Sequence, residues 1–204
     1  MKQSYTNIDE YIADLRSAIE KTPDCANHLY NLGMALLTKK DFVGAERSFL
    51  DSLRKSPRLA EAYVQLGGIC MQRGDLDGCL NYNKEAAQVR PKYAVAQGNI
   101  GFVHMQRGEI KQAVDALSKA LKWDPEFLQA KATLASAYIM EGAIDESIKL
   151  SDEVVSKEPG FAPALNNLAI AWLEKGDKEK AKEYAQKALD CGFAVAPEIL
   201  AELQ

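Results

Sequence analysis

The sequence predicts an all-α solenoid of stacked antiparallel helix pairs, because three series of residues recur along it with the same spacing. The first series is proline, at Pro23, Pro57, Pro91, Pro125 and Pro159. The second is glycine, at Gly74, Gly108, Gly142 and Gly176, with Lys40 at the corresponding place in the first unit. The third is a large apolar residue followed by a small one, as in Leu32-Gly33, Leu66-Gly67, Ile100-Gly101, Leu134-Ala135 and Leu168-Ala169.

The residues of one unit predict two helices and the turns between them. In the second unit these helices run over 60–73 and 76–89. Gly74 ends the first helix because a left-handed residue costs least without a side chain. Asp75 caps the next helix through its carboxylate, as Asp41 and Asp177 do in other units. The proline stops the second helix, and the small residue of the third series lets the paired helices approach closely.

This pattern resembles the tetratricopeptide repeat. The matching residues of the first unit are Leu29, Leu32, Gly33, Leu36, Ala45, Phe49 and Pro57. Those of the third unit are Ile100, Gly101, Ala113, Leu117, Ala120 and Pro125. The resemblance implies a right-handed α-solenoid superhelix with five units, at 26–59, 60–93, 94–127, 128–161 and 162–195.

Each end of the chain carries a predicted half-unit. An apolar stripe over residues 8–21 indicates a helix within an N-terminal cap at 1–25. Pro197 opens a C-terminal capping helix within 196–204. The fifth unit has Cys191-Gly192-Phe193 where proline is expected, which suits the last unit of an array. Caps are needed because each unit buries its apolar face only against its neighbours.

The composition argues against several classes of partner and several cellular locations. The net charge of −4 and the absence of a basic cluster argue against nucleic-acid binding. No apolar run is long enough to insert into a membrane, and residues 1–7 lack the apolar region of a signal peptide. Four scattered cysteines do not form a disulfide framework. We therefore expect a cytoplasmic protein.

No residues form a catalytic or metal-binding pattern, so the sequence predicts neither an enzyme nor a cofactor. His104 is expected to be packed and hydrogen-bonded, and His28 has no neighbouring ligand for a metal. Cys70 and Cys79 face each other within the second unit, either as small apolar fillers or as a redox pair. Phosphate-binding loops and nucleophile motifs are absent.

The resemblance implies that the first helix of each unit lines a concave groove, through repeat positions 2, 5, 6, 9, 12 and 13. Position 6 is polar throughout: Asn31, Gln65, Asn99, Thr133 and Asn167. Amide side chains offer both a donor and an acceptor to an extended peptide backbone, and the column resembles the asparagine ladder of O-linked N-acetylglucosamine transferase. The alternative is a structural role, with hydrogen bonds between units. Thr133 interrupts the amide series.

The neighbouring columns are apolar and predict a peptide-binding or helix-binding patch, unless some of them pack between units. Those that we assign to the groove are Tyr30, Met34, Val64, Met71, Phe102, Met105, Ile139 and Ile170. Leu37, Met140 and Leu173 lie in the same columns. Gly68 and Gly98 either open the groove for a bulky ligand side chain or allow closer packing of helices.

A groove of this composition predicts an adaptor that binds a segment of a protein partner. Repeats that hold a chaperone's C-terminal carboxylate resemble each other in their Lys, Asn and Arg; here Tyr30, Met34, Gln65, Val95 and Asn99 stand instead, without the required cations. Two alternatives remain. One is a self-assembling, coat-type homo-oligomer built through the orphan helix at 8–21. The other is a recognition subunit of an enzyme complex whose catalytic chain is separate.

Overall fold

The computed structural model describes residues 7–203, and these residues form α-helices joined by short turns, with no strand among them. The predicted all-α class is confirmed. The helices are α1 Ile8–Lys21, α2 Ala26–Thr38, α3 Phe42–Lys55, α4 Ala60–Gln72, α5 Leu76–Val89, α6 Ala94–Gln106, α7 Ile110–Trp123, α8 Leu128–Glu141, α9 Ile144–Lys157, α10 Ala162–Glu174, α11 Lys178–Asp190 and α12 Pro197–Glu202.

The chain divides into two compact units, Met1–Ala96 and Gln97–Gln204. In the first unit α2 packs against α3 and α4 against α5, with α1 lying on α2. In the second unit α8 packs against α9 and α10 against α11. Sequential antiparallel pairing is therefore confirmed. The expectations for residues 1–6 and 204, including the missing signal peptide, fall outside the described residues.

The predicted helix boundaries are set by the capping residues. Asp41 and Asp75 each accept a hydrogen bond from the backbone N–H of a glycine three residues on, at 2.9 and 2.8 Å. Asp177 does the same for Lys180 at 3.1 Å. Gly74 has φ +76°, and Lys40, which replaces glycine in the first unit, adopts φ 61°. α4 ends at Gln72, one residue before the predicted end.

The small residue of each first helix brings the paired helices close together, as the sequence predicts. A Cβ atom on Gly33 would lie 2.5 Å from the Phe49 ring, and one on Gly67 would lie 2.4 Å from the Asn83 side-chain nitrogen. Asn83 is fully buried and donates to the carbonyl of Cys79 at 2.9 Å. The sequence had not singled out this buried amide, which occupies the place of Phe49 in the preceding pair.

Both ends of the chain are capped within their own units. In α1, Ile12 and Leu15 are buried in the core formed with α2, α3 and α4. At the other end, Leu203 and Val195 are buried against the core of the α10–α11 pair. Lys178 also donates to the Glu202 carbonyl at 2.8 Å. The half-unit helices therefore cover apolar surface that the array would otherwise expose.

Candidate functional site

The histidine and the two cysteines that the sequence singles out lie largely inside the fold. His104 is 16% exposed and its Nδ1 is hydrogen-bonded to the Glu109 carboxylate, which confirms the packed histidine. Cys70 and Cys79 are buried, free thiols, and burial raises the pKa of Cys70. A raised pKa lowers the thiolate fraction and hence the reactivity of the thiol. Within residues 7–203, no group of three potential ligands is placed to hold a metal.

In the first unit, the first helices α2 and α4 carry a partly exposed apolar surface. We define the α2–α4 surface as Tyr30, Met34, Leu37, Val64, Gln65, Gly68 and Met71. Met34 is 37% exposed, and Leu37 and Met71 are half-buried. A Cβ atom on Gly68, at the repeat position of Met34, would meet no atom within 4 Å. The α2–α4 surface therefore carries an exposed methionine on α2 and an open position at the equivalent place on α4.

The two glycines for which the sequence left both groove opening and close packing as alternatives differ from each other. Gly68 is exposed and open, whereas Gly98 is buried. A Cβ atom on Gly98 would lie 2.8 Å from the ring of Phe127. Gly98 thus serves close packing in the second unit, whereas the space next to Gly68 is open.

The polar residue of the α2–α4 surface lies near a side chain of the preceding repeat. The Gln65 amide is close enough to the Tyr30 phenol to act on its pKa, which burial raises and the amide lowers. The Tyr30 ring in turn packs on Phe49, with ring centroids 5.6 Å apart. Gln65 is half-buried, so its remaining polar atoms still face solvent.

In the fourth and fifth repeats, which lie in the second unit, position 6 is buried. Asn167 is 3% exposed and donates to the backbone carbonyl of Ala132 at 2.8 Å, while its oxygen accepts from the Ser136 hydroxyl at 2.9 Å. Thr133 is 5% exposed and donates to the Gln129 carbonyl at 2.8 Å. These bonds are of the structural kind, so the role of Thr133 and Asn167 in binding stays a prediction.

The remaining predicted groove residues lie at intermediate burial on the first helices. In the first unit these are Asn31 and Val64; in the second unit they are Asn99, Phe102, Met105, Ile139 and Ile170. Met105 packs partly against the core of α7 and α8. Met140, in the same columns, is 60% exposed. Half-burial is what a residue shows when it packs between helices and still presents one edge to solvent.

Sequence reasoning missed one charged residue of α4 that adjoins the α2–α4 surface. Glu61, at position 2 of the second repeat, accepts from the Arg90 guanidinium through Oε1 at 2.6 Å, and that guanidinium lies 4.7 Å from the centre of the Tyr93 ring. Oε2 of Glu61 is shielded from solvent and has no hydrogen-bond partner. A single carboxylate among apolar and amide residues was the signal that could have revealed it.

None of the helices described is both long and apolar enough to cross a membrane. Fold and surface together define a helical-repeat protein that presents an array of first helices. Tetratricopeptide-repeat family models match residues 9–60, two overlapping stretches at 71–137 and 104–154, and 162–192, which together span most of the chain. The chain belongs to the tetratricopeptide-repeat family.

Solved structures agree with this assignment. The chain is 27% identical to MamA, with a TM-score of 0.65 over 79% of this chain and 94% of that one. YrrB, described as a TPR protein with an unusual peptide-binding site, is 21% identical, with a TM-score of 0.67 over 87% and 91%. PilF of Pseudomonas aeruginosa is 20% identical, with a TM-score of 0.83 over 96% and 90%. The last two likenesses show the fold alone.

A comparison with curated protein sequences finds no match. The family matches are all to tetratricopeptide repeats, a fold that is typically noncatalytic. Proteins built from this repeat generally mediate protein–protein interactions, and the chain is such a scaffold.

Proposed function

We propose that this chain is a noncatalytic adaptor that binds an extended or helical segment of a protein partner, with its principal contact on the α2–α4 surface. The observation that carries the proposal is the pairing of exposed Met34 with the open space above Gly68, at equivalent positions of consecutive repeats. A bulky apolar side chain of the partner fits between them. Methionine adapts its shape to such a side chain because its side chain is unbranched and flexible.

The position-6 column supports this proposal in the first three repeats. Asn31, Gln65 and Asn99 are half-buried, so their amides keep an edge toward a bound backbone. The groove residues of the second unit belong to the proposal as an extension of the contact. The cytoplasmic location that the sequence predicts belongs to it too, and the four free cysteines suit a reducing compartment.

The test is selection of ligands from a library of displayed short random peptides, with the purified full chain as the target. Selected peptides are then measured by fluorescence anisotropy against Met34→Glu and Met71→Glu. Burying a new charge against an apolar ligand is costly, so we expect each substitution to weaken binding by at least about tenfold. Circular dichroism checks that helical content is kept.

The matched control is Val43→Glu. Val43 is 74% exposed on α3, a second helix, so the same chemical change is made away from the α2–α4 surface. We expect wild-type affinity for this variant. Equal loss for Val43→Glu and Met34→Glu, or no loss for either methionine variant, would refute the proposed surface.

The self-assembly alternative has less support from the structure. The apolar stripe of α1, which was to dock on a neighbouring copy, places Ile12 and Leu15 in the core of its own chain. The helix therefore acts as an intramolecular cap. Light scattering at rising protein concentration should show a monomer.

A further inference from the structure

The charges at the groove positions of α2 and α4 indicate which charge a ligand of this surface carries. The resemblance assigns twelve positions of α2 and α4 to the groove, and Glu61 is the only charged residue among them. The cations that end these helices, Lys39 and Arg73, are paired with Asp9 and Glu46. The groove side of the first unit is therefore neutral apart from one carboxylate.

Glu61 is incompletely satisfied. Its side chain is 34% exposed, and Arg90 occupies Oε1 at 2.6 Å. Oε2 has no donor and is shielded from solvent, a costly state for a charged oxygen. The last torsion of a glutamate side chain is soft, so the carboxylate can turn Oε2 toward the exposed edge when a donor arrives. A ligand N–H group would relieve this deficit.

One aromatic ring lies beside this carboxylate. The Arg90 guanidinium that bonds to Glu61 at 2.6 Å also lies 4.7 Å from the centre of the Tyr93 ring, so the carboxylate and the ring flank the same cation. Burial raises the pKa of Tyr93, and the charge of Glu61 raises it further, in keeping with this placement. An aromatic ring beside a carboxylate is an environment that favours a lysine or arginine side chain.

We propose that Glu61, with Tyr93, forms a subsite for a lysine or arginine side chain of the bound segment, next to the apolar subsite at Met34 and Gly68. This inference rests on the proposed function and specifies its ligand. Glu61 and Gly68 are seven residues apart on α4, so the two subsites lie about 10 Å apart on one helix face. An extended segment spans that distance in about three residues.

The displayed random peptides serve as the probe. We expect peptides selected by the wild-type chain to share a lysine or arginine about three residues from a bulky apolar residue. A selected peptide should bind Glu61→Gln about tenfold more weakly, since a charge-assisted hydrogen bond becomes a neutral one. Glu85→Gln, an exposed carboxamide change on the second helix α5, is the control and should bind as wild type.

The peptide provides a second measurement that does not alter the protein. Replacing its basic residue with glutamine should weaken binding to the wild type but not weaken binding to Glu61→Gln further. Additive losses in this cycle, or selected peptides without a basic residue, would refute the subsite. If those peptides still depend on Met34 and Met71, the proposed function stands; if no selected peptide depends on them, both proposals fall.

Discussion

The same repeat position has different surroundings in the two units. In the first unit, the amide of Gln65 lies near the phenol of Tyr30 and stays half-buried. In the second unit, the amide of Asn167 bonds to the backbone of Ala132 and is buried. In each case the position-6 amide faces position 5 of the preceding repeat.

The difference comes from the size of the position-5 residue. Alanine at 132 lets the amide of α10 reach the main chain of α8, which closes the space between the two helices. Tyrosine at 30 carries a ring at the corresponding place, and the amide of Gln65 lies near its phenol instead of bonding to the main chain. In the second unit the amide of Asn167 stabilises the packing of two helices. In the first unit polar and apolar edges of the α2–α4 surface remain exposed to solvent.

The largest expected effect is a difference in stability between variants of the two position-6 amides, Asn167 and Gln65. Asn167→Ala removes two buried hydrogen bonds, and the Ser136 hydroxyl and the Ala132 carbonyl keep only the 3.1 Å bond that they make to each other. We expect a loss of about 2 to 3 kcal/mol in the free energy of unfolding. Gln65→Ala, at the equivalent position, should cost less than about 1 kcal/mol because its site remains hydrated. Urea denaturation measures both, and equal losses would contradict the comparison.

The adjacent glycines of α4 should respond in opposite directions. A Cβ atom on Gly67 would lie 2.4 Å from the buried Asn83 amide, so Gly67→Ala should cost about 1 to 3 kcal/mol. A Cβ atom on Gly68 meets nothing, so Gly68→Ala should raise stability by about 0.5 to 1 kcal/mol through its helix propensity. Gly98→Ala, facing Phe127, should not share that gain. Thermal unfolding followed by circular dichroism ranks the three variants.

A buried hydroxyl in the second unit should be dispensable. Ser147 is fully buried and its Oγ has no hydrogen-bond partner, whereas the first and fifth repeats hold Ala45 and Ala181 at the equivalent position. Ser147→Ala should raise stability by about 1 kcal/mol, because a desolvated hydroxyl is removed and little volume is lost. A midpoint in urea below that of the wild type would show that the hydroxyl has a partner.

The smallest expected effect is a change in stability and in tyrosine ionisation at alkaline pH. Tyr30 and Tyr93 have raised pKa values in the folded chain, first through burial and then through Glu61. Because the phenols ionise at lower pH in the unfolded chain, the folded chain holds these protons more tightly. Their contribution to the free energy of unfolding is complete below the ordinary tyrosine pKa, and it is lost as pH rises through the pKa in the folded chain. Glu61→Gln should lower the pH at which these phenols ionise, as followed by absorbance of tyrosinate. An unchanged titration would mean that the carboxylate is not beside them.

Much of the fold could be predicted from the sequence because its determinants are local. A carboxylate three residues before a helix N–H, as at Asp75, or a glycine at a helix end, as at Gly74, acts within one turn of chain. Gly68 and Gly98 look alike in sequence, and the difference depends on where the Phe127 ring packs. The partner of Asn167 likewise depends on the size of Ala132, a residue one repeat away.

The claim that the α2–α4 surface binds the partner segment can be tested on the methionine methyl groups. Carbon-13 methyl spectra of the full chain, recorded with a selected peptide, report on Met34 and Met71 in the first unit and on Met140 in the second. Met140 is 60% exposed and Met34 is 37% exposed, so exposure alone favours Met140. We predict that the Met34 and Met71 signals shift with the peptide's affinity. Unmoved Met34 and Met71 signals, with the peptide bound, would contradict the account.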